Sequence, residues 1–190
     1  HKEYRRQRQM CIRDRYIGAL LNFFLSVHLL WLFDTETFAI QYAEEYKLLG
    51  MSYKVGVDST NILFIPLTTL LSVLALIYTS ITRHAADKMV IGCLLSYEAV
   101  LIAAFSALNL LQFWFCCVLE LVPVVLLTLH SGTGQNRRWL VTQVLQYWGS
   151  GLLMVFAGFM FLAFGLIDAE HPLTFDWLNL KQNNAFLNDE

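Results

Sequence analysis

The stretch NILFIPLTTLLSVLALIYTSI, residues 61–81, decides the fold class of this chain. It contains no charged residue, and as an α-helix it is long enough to cross a hydrocarbon core about 30 Å thick. The polar residues just before it, Asp58, Ser59 and Thr60, can each cap the first turn of such a helix. The sequence therefore predicts a membrane-spanning helix at this position.

The composition of the whole chain agrees with a membrane protein. Of its 190 residues, 57% are hydrophobic and 15% are charged, whereas soluble domains average about 45–50% apolar and about 25% charged residues. The same figures exclude a disordered chain, which needs low hydrophobicity and high charge. Four cysteines without a CxxC pair indicate neither a disulfide framework nor a zinc site.

Four more apolar segments flank this helix, at residues 16–34, 89–108, 109–130 and 139–167. With residues 61–81 they give about five predicted spans. We place a turn at Asn109, although periodicity alone also allows one long helix there. Residues 35–60 are polar and read as an extramembrane loop that holds a short strand or an amphipathic turn. Residues 168–190 form a polar tail. The predicted fold class is an all-α polytopic transmembrane bundle.

Residues 1–15, HKEYRRQRQMCIRDR, carry six of the 13 basic residues. The string MCIRDR resembles the translation of a transposon end used in sequencing-library preparation. We therefore expect residues 1–15 to be a non-native or disordered basic arm, with residues 16–190 as the transmembrane domain of a fragment. A cytoplasmic basic flank and a nucleic-acid arm are the alternatives. Nothing downstream resembles a nucleic-acid module, so we expect no nucleic-acid partner.

The remaining basic residues predict the orientation. Arg83 and Lys88 lie between the second and third spans, and Arg137 and Arg138 lie between the fourth and fifth. Two crossings separate these loops, so they share a side, which the positive-inside rule assigns to the cytoplasm. The loop 35–60 and the tail then lie outside. We expect a multi-pass protein in the lipid bilayer of the cell inner (plasma) membrane.

Two acidic residues inside predicted spans are the candidates for chemistry, Glu98 and Glu120. Counted from the turn near Asn109, both lie about 15–17 Å deep at a rise of 1.5 Å per residue. A charged group at this depth is costly unless it is paired or hydrated, and such residues commonly mark ion paths. Two carboxylates at matched depth can share a proton or a water chain. The alternative is that each one only meets a polar neighbour for packing.

Polar and helix-breaking residues near these acids extend the candidate path. Pro123 follows Glu120 by three residues and removes one backbone donor from the helix. We expect either a local kink that hydrates the glutamate or a tolerated membrane proline. On the fifth span, Gln143 and Tyr147 can continue a polar path, although interhelical hydrogen bonds serve packing equally well.

Other kinds of site find no support in the sequence. The loop SGTGQNRR lacks the Gly-Lys-Ser/Thr ending of a phosphate loop. The histidines are scattered, without metal-ligand spacing. No flavin, nicotinamide, haem or iron–sulfur motif is present, so we expect no cofactor and no metal in this chain.

Two passages of the chain are distinctive: GMSYKVGVDSTNILFIPLTTLLS (50–72), which contains Asp58, and LELVPVVLLTLHSG (119–132), which contains Pro123. Three further segments accompany them: EAVLIAAFSALN (98–109), RRWLVTQVLQYWGSGLLM (137–154) and LTFD (173–176). In this order the segments resemble NADH-quinone oxidoreductase subunit M and its cyanobacterial and chloroplast counterparts. The first passage is similar to a Gly-Val-Asp loop-to-helix passage of the family, in which Asp58 is the structural aspartate, and the second to a Glu-Leu-Glu-Leu-Val-Pro passage.

This resemblance implies the second to sixth helices of a larger antiporter-like subunit, related to Mrp-type antiporters. It implies a non-redox membrane subunit of a complex I-like translocase, which takes part in proton translocation coupled to quinone reduction. Its partners would be the other membrane subunits of the complex, and a cyanobacterial member would lie in the thylakoid membrane. We leave open whether the chain itself counts as an enzyme.

The chain departs from the family pattern at several positions. The key glutamate, five residues before the proline, is Val118 here, and the expected lysine of the next helix is Gln143. The aspartate that opens the fourth span is Asn109. Moving an acid from position 118 to 120 rotates it by about 200°, so Glu120 should face a different neighbour or a path through span three.

These departures keep other functions open. A Mrp-type cation/proton antiporter, an inorganic-carbon uptake complex or a hydrogenase can contain a paralogue of this kind. A degenerate structural membrane subunit is a further alternative, which Val118 and Gln143 favour.

Overall fold

The structure is a computed structural model that describes residues 2–34, 40–48, 51–81, 88–131, 136–165 and 175–176. Five helices and one β-hairpin make up these ranges. In chain order they are α1 (Lys2–Leu32), β1 (Gln41–Leu48), β2 (Met51–Val57), α2 (Asn61–Ile81), α3 (Lys88–Phe105), α4 (Leu110–Ser131) and α5 (Arg137–Gly165). The predicted all-α bundle is confirmed.

Each of the five helices contains a segment long and apolar enough to cross a membrane. The helix α2 has the bounds that its uncharged sequence predicts. The helix α1 begins at Lys2 and so includes the basic arm, whose native or non-native origin stays a prediction. The predicted loop at Arg83 and most of the predicted tail lie outside the described residues.

The turn between the third and fourth spans falls at the predicted place. Helix α3 ends at Phe105 and α4 begins at Leu110, which excludes one long helix. The side-chain oxygen of Asn109 accepts a hydrogen bond of 2.9 Å from the Leu111 N–H and so caps α4. In the same way, Asp58 accepts bonds of 3.1 and 2.7 Å from the N–H groups of Thr60 and Asn61 at the start of α2.

The loop before α2 holds an antiparallel hairpin of β1 and β2 rather than a single short strand. Its register is irregular between Gln41 and Glu44, and Tyr42 has a φ of 54° within this bulge. Strand β2 docks on the turn after α3, because the Gly56 N–H donates to Ser106 and the Leu108 N–H donates to the Lys54 carbonyl. The hairpin therefore covers one end of the bundle.

Helices α1, α2 and α3 pack against one another, α4 packs on α3, and α5 packs on α4. Ala19, Val73, Leu76 and Ile91 form a buried cluster where the first three helices meet. A second cluster of Phe33, Val57, Ile62 and Ile65 joins the hairpin to the same helices. Many other apolar side chains of the bundle are exposed.

The two ends of the bundle differ in charge. At one end Arg15 donates a hydrogen bond of 3.1 Å to the Lys88 carbonyl, so the start of the apolar part of α1 lies beside the start of α3. Arg137 and Arg138 begin α5 at this basic end. At the other end the Leu110 N–H donates to Phe175, which places the segment after α5 beside the hairpin. The loop 35–60 and the tail are predicted to lie on the same side of the membrane, and their described residues do lie at the same end of the bundle.

Candidate functional site

Glu98 is buried in the middle of α3, where it is 2% exposed. The Asn22 amide of α1 donates a hydrogen bond of 2.5 Å to its carboxylate. The Ser72 hydroxyl of α2 is a second hydrogen-bond partner. One carboxylate thus joins three helices at mid-span, and its polar partners offset the cost of removing it from water.

Two more hydroxyl groups extend this polar layer across the α1–α2 contact. Ser26 and Thr69 share a buried hydrogen bond of 2.7 Å. Ser26 lies one turn after Asn22 on α1, and Thr69 lies one turn before Ser72 on α2. Each pair therefore shares one face of its helix, because residues three or four apart lie on the same face. The layer therefore contains four uncharged polar side chains and one carboxylate.

Glu120 lies on the other side of α3. The phenol of Tyr97 donates a hydrogen bond of 2.6 Å to its carboxylate. The rotation from position 118 to position 120 predicts a neighbour other than the family's usual one, and the observed neighbour belongs to α3. Tyr97 itself does not appear among the sequence-based candidates, since a single tyrosine in an apolar span carries no motif.

The two glutamates have separate partners rather than a shared hydrogen bond. Tyr97 and Glu98 are consecutive residues, so their side chains leave α3 about 100° apart. One points to α4 and the other to α1 and α2. Helix α3 thus presents Tyr97 toward α4 and Glu98 toward α1 and α2. A role of the two glutamates in ion movement stays a prediction.

The predicted path continues on α5 with Gln143 and Tyr147. Helix α5 meets α4 through its second half, where the Trp114 indole donates a bond of 2.9 Å to the Leu152 carbonyl. Tyr147 is 75% exposed and points away from the described helices. Gln143 is half-buried one turn earlier. The predicted path through Gln143 and Tyr147 stays a prediction.

Pro123 is buried inside α4, which continues through it. It lines a cavity of about 220 Å³ at the α3–α4 contact, together with Lys88, Gly92 and Ser96. The cavity lies on the basic half of the bundle, since Lys88 begins α3. This position gives Pro123 space on one side, and the predicted hydration of Glu120 stays a prediction.

An ion pair joins the hairpin to the segment after α5. The Lys54 ammonium lies 2.5 Å from the carboxylate of Asp176 and 3.8 Å from that of Glu45. Its hydrogen bond to buried Asp176 raises the pKa of Lys54. Sequence reasoning missed this pair, because its partners are 122 positions apart along the chain.

No cluster of three His, Cys, Asp or Glu side chains occurs among the residues that the structure describes. The site is therefore built from isolated carboxylates with hydroxyl, amide and phenol partners. Such groups exchange protons, and oxygen atoms also suit hard cations.

The chain is similar in sequence to several known proteins. It is 33% identical to NADH-quinone oxidoreductase subunit M of Rickettsia conorii over 124 residues, which is 64% of this chain and 25% of the relative. It is 30% identical to subunit M of Rhodobacter capsulatus over 163 residues, 84% of this chain and 31% of that protein. The chain belongs to the subunit M family of NADH-quinone oxidoreductases.

A protein of Synechococcus sp. is also similar. NAD(P)H-quinone oxidoreductase chain 4 1 of Synechococcus sp. is 28% identical over 152 residues, 78% of this chain and 28% of that protein. No family model matches the chain. The chain spans about a quarter to a third of the length of the curated relatives it matches.

The departures from the subunit M pattern can now be placed in the structure. Val118 is half-buried on α4, two residues before Glu120. Asn109, where the resemblance leads us to expect an aspartate, caps α4. This subunit M homologue therefore keeps the helix cap with an uncharged side chain and has a second carboxylate, Glu98, one helix away.

Proposed function

We propose that the chain is part of a membrane subunit of an NADH dehydrogenase (complex I)-like complex that takes part in proton translocation coupled to quinone reduction. Family membership supports the type of complex. Glu98 is the observation that supports transport, because it is a mid-span carboxylate that is only 2% exposed. Burying a charged group there costs free energy, and packing alone does not require one.

The surroundings of Glu98 suit a group that gains and loses a proton. The Asn22 amide stabilises the carboxylate, and the Ser72 hydroxyl can donate to the carboxylate or accept from the carboxylic acid. Both forms therefore keep hydrogen-bond partners without any movement of a helix. Glu120 has a comparable partner in Tyr97, whose hydroxyl can also donate or accept.

The proposed setting is a multi-subunit complex in the cell inner (plasma) membrane, or in the thylakoid membrane of a cyanobacterium. The basic end with Lys88 and Arg137 faces the cytoplasm, as the positive-inside rule requires. Exposed polar residues of α5, such as Tyr147, face other helices of the complex rather than lipid. In this proposal the chain holds no redox cofactor, so oxidation of the electron donor takes place in other subunits.

A second candidate is a structural subunit in which pumping is lost, or a paralogue in a Mrp-type antiporter or inorganic-carbon uptake complex. Val118 and Gln143 favour it, since both stand where the resemblance expects ionisable groups. Positions 118 and 143, where the family resemblance implies titratable side chains, are thus uncharged in this chain. Glu98 and Glu120 argue for the first candidate.

The test replaces each glutamate in the full-length subunit within its complex. Proton uptake and quinone reduction are measured together in inverted membrane vesicles for Glu98→Gln, Glu120→Gln and Glu44→Gln. Glu44 is an exposed hairpin acid and serves as the matched control. We expect proton uptake per quinone reduced to fall in one or both span variants and to be unchanged in the control.

The outcomes separate the candidates. Unchanged uptake in both span variants, with the complex assembled, would contradict a transport role and favour the structural subunit. A requirement for Na⁺ in wild-type transport would favour the antiporter. Loss of assembly in Glu98→Gln would assign Glu98 to packing.

A further inference from the structure

The cavity that Pro123 lines between α3 and α4 is a narrow groove at the basic end of the bundle. Its wall is mostly apolar, with Lys88 at the mouth and Ser96 at the inner end, and none of the described residues that line it is acidic. We propose that this groove holds one acyl chain of an anionic phospholipid whose phosphate pairs with Lys88. The proposal concerns lipid binding and does not rest on proton transport by the chain.

The groove has the dimensions of a single hydrocarbon chain. On α3 it runs from Lys88 to Ser96, about 12 Å at a rise of 1.5 Å per residue. This length covers most of one leaflet, which is half of a hydrocarbon core about 30 Å thick. A volume of about 220 Å³ over this length gives a mean cross-section of about 18 Å². The slot therefore admits a chain one methylene wide, whereas a helix with its side chains is about 10–12 Å across.

The wall of the groove suits an acyl chain better than water. Gly92 leaves the slot open, because a Cβ there would meet nothing within 4 Å. The Ser96 hydroxyl donates a hydrogen bond of 2.8 Å to the Gly92 carbonyl of its own helix. The remaining wall includes the apolar side chains of Met89, Val122 and Leu126. Water in such a slot would lack the two to four polar partners that it needs, so hydrocarbon is the better filling.

The charges around the mouth select the head group. Lys88 is the first residue of α3. The Arg137 guanidinium donates a hydrogen bond of 2.7 Å to the Leu129 carbonyl of α4, and Leu129 lies one turn beyond Leu126 of the groove. Two cationic side chains therefore lie at the level where a phospholipid that fills the groove places its phosphate. Basic pockets between membrane helices bind anionic head groups in this way. A zwitterionic head group carries its own cation and gains less from them.

Photochemical cross-linking of the full-length subunit within its complex tests this proposal. The complex is reconstituted in bilayers that contain a trace of phosphatidylglycerol with a diazirine at mid-chain, or of the matching phosphatidylcholine. Labelled residues are identified and quantified by mass spectrometry. We expect label at Ser96 or Val122, the inner end of the groove. Phosphatidylglycerol should label it about fivefold more than phosphatidylcholine, the ratio expected for one cationic contact near the membrane surface.

Two variants test the mouth and the slot separately. Lys88→Gln removes the cation and should lower the labelling by phosphatidylglycerol about fivefold, with no change for phosphatidylcholine. Arg138→Gln is the matched control, because it makes the same change of charge at an exposed residue of α5 that does not line the groove. Gly92→Leu fills the slot and should abolish labelling by both lipids. Gly158→Leu is its control, since a Cβ at Gly158 also meets nothing within 4 Å.

Equal labelling of the groove by the two lipids would overturn the proposal, as would labelling that is unchanged in Lys88→Gln or in Gly92→Leu. A groove without label in the wild-type complex would show that protein covers it and would also overturn the proposal. Loss of the label on addition of inorganic phosphate would indicate a site for a free anion instead of a lipid. None of these results bears on proton uptake by Glu98→Gln, so the proposed function is judged independently.

Discussion

Tyr97 of α3 donates its phenol hydrogen to Glu120 of α4 across 2.6 Å. This bond lies beside Glu98, the next residue of α3, whose own partners belong to α1 and α2. One dipeptide therefore connects four helices through two carboxylates. In a membrane, where helices gain little from apolar burial against one another, such bonds contribute to association.

We predict that Tyr97→Phe and Glu120→Gln act on the same interaction. Each single variant should lower the free energy of unfolding by about 0.5–1.5 kcal/mol, the net value of one hydrogen bond. The double variant should be no less stable than the less stable of the two single variants. Thermal unfolding of the purified complex measures both, with Tyr78→Phe as the control, since Tyr78 is 70% exposed on α2.

Full additivity of the two substitutions would show that the phenol and the carboxylate do not interact. Proton uptake by Tyr97→Phe then has a second use. If Tyr97 orients Glu120 for transport, the variant lowers uptake while the quinone reduction rate is kept.

The sequence predicts the helices well, because an uncharged apolar stretch of bilayer length has few other structures open to it. It places the α3–α4 turn at Asn109 and the start of α2 near Asp58. Asp58 accepts the capping bonds expected of it, and Asn109, which is predicted only as a turn, also caps a helix. Glu98 and Glu120 stand out as candidates for the same reason, since charge within a span is rare.

The contacts between side chains of different helices cannot be predicted from the hydrophobic pattern of each segment. Asn22 and Ser72 are ordinary polar residues of their spans, and only packing brings them to Glu98, 76 positions from Asn22. The pairing of Lys54 with Asp176 spans most of the chain. Strand β1, QYAEEYKL, carries two adjacent glutamates and lacks the alternation that identifies a half-buried strand.

Gly56 is required where the hairpin meets the bundle. A Cβ at this position would lie 2.6 Å from Ile40 Cγ2 and 2.8 Å from Leu108 Cδ1. We predict that Gly56→Ala destabilises the fold by about 1–3 kcal/mol, the usual cost of overpacking. Protease cleavage within the hairpin should become faster in this variant.

Gly158→Ala is the control for this substitution, because a Cβ there meets nothing within 4 Å. It should have no measurable effect on cleavage. In a Leu108→Ala background, Gly56→Ala should cost less than in the parent chain, because one of the two clashing atoms is removed. Failure of Gly56→Ala to change either measurement would show that the hairpin shifts without cost.

The bond to Asp176 raises the pKa of Lys54, and this sets the pH range over which the ion pair joins the hairpin to the segment after α5. A raised folded pKa contributes stability that is fully present below the ordinary lysine value of about 10.4 and is lost as the pH rises through the folded value. The ion pair should therefore hold throughout the neutral range and weaken only in strong alkali.

Lys54→Met should remove this alkaline transition and lower the thermal midpoint at pH 7. Its cost should exceed that of Asp176→Asn, because Asp176 is 6% exposed and would keep a buried charge, whereas Lys54 still has Glu45 at 3.8 Å. Thermal scans from about pH 7 to about pH 11 measure both effects. An alkaline transition that persists in Lys54→Met would assign it to another group.

The last prediction concerns the balance between stability and function at Glu98. Asn22→Leu removes a donor from a buried carboxylate and should cost about 1–3 kcal/mol. In the variant Asn22→Leu with Glu98→Leu, both partners of that bond become apolar, so most of the stability should return. The same double variant should still fail to take up protons, if Glu98 is the proton-binding group. Thermal unfolding and vesicle uptake measured on one preparation separate the two effects. Recovery of both stability and uptake would show that the polar layer serves packing alone, whereas recovery of stability without uptake would assign the carboxylate to transport.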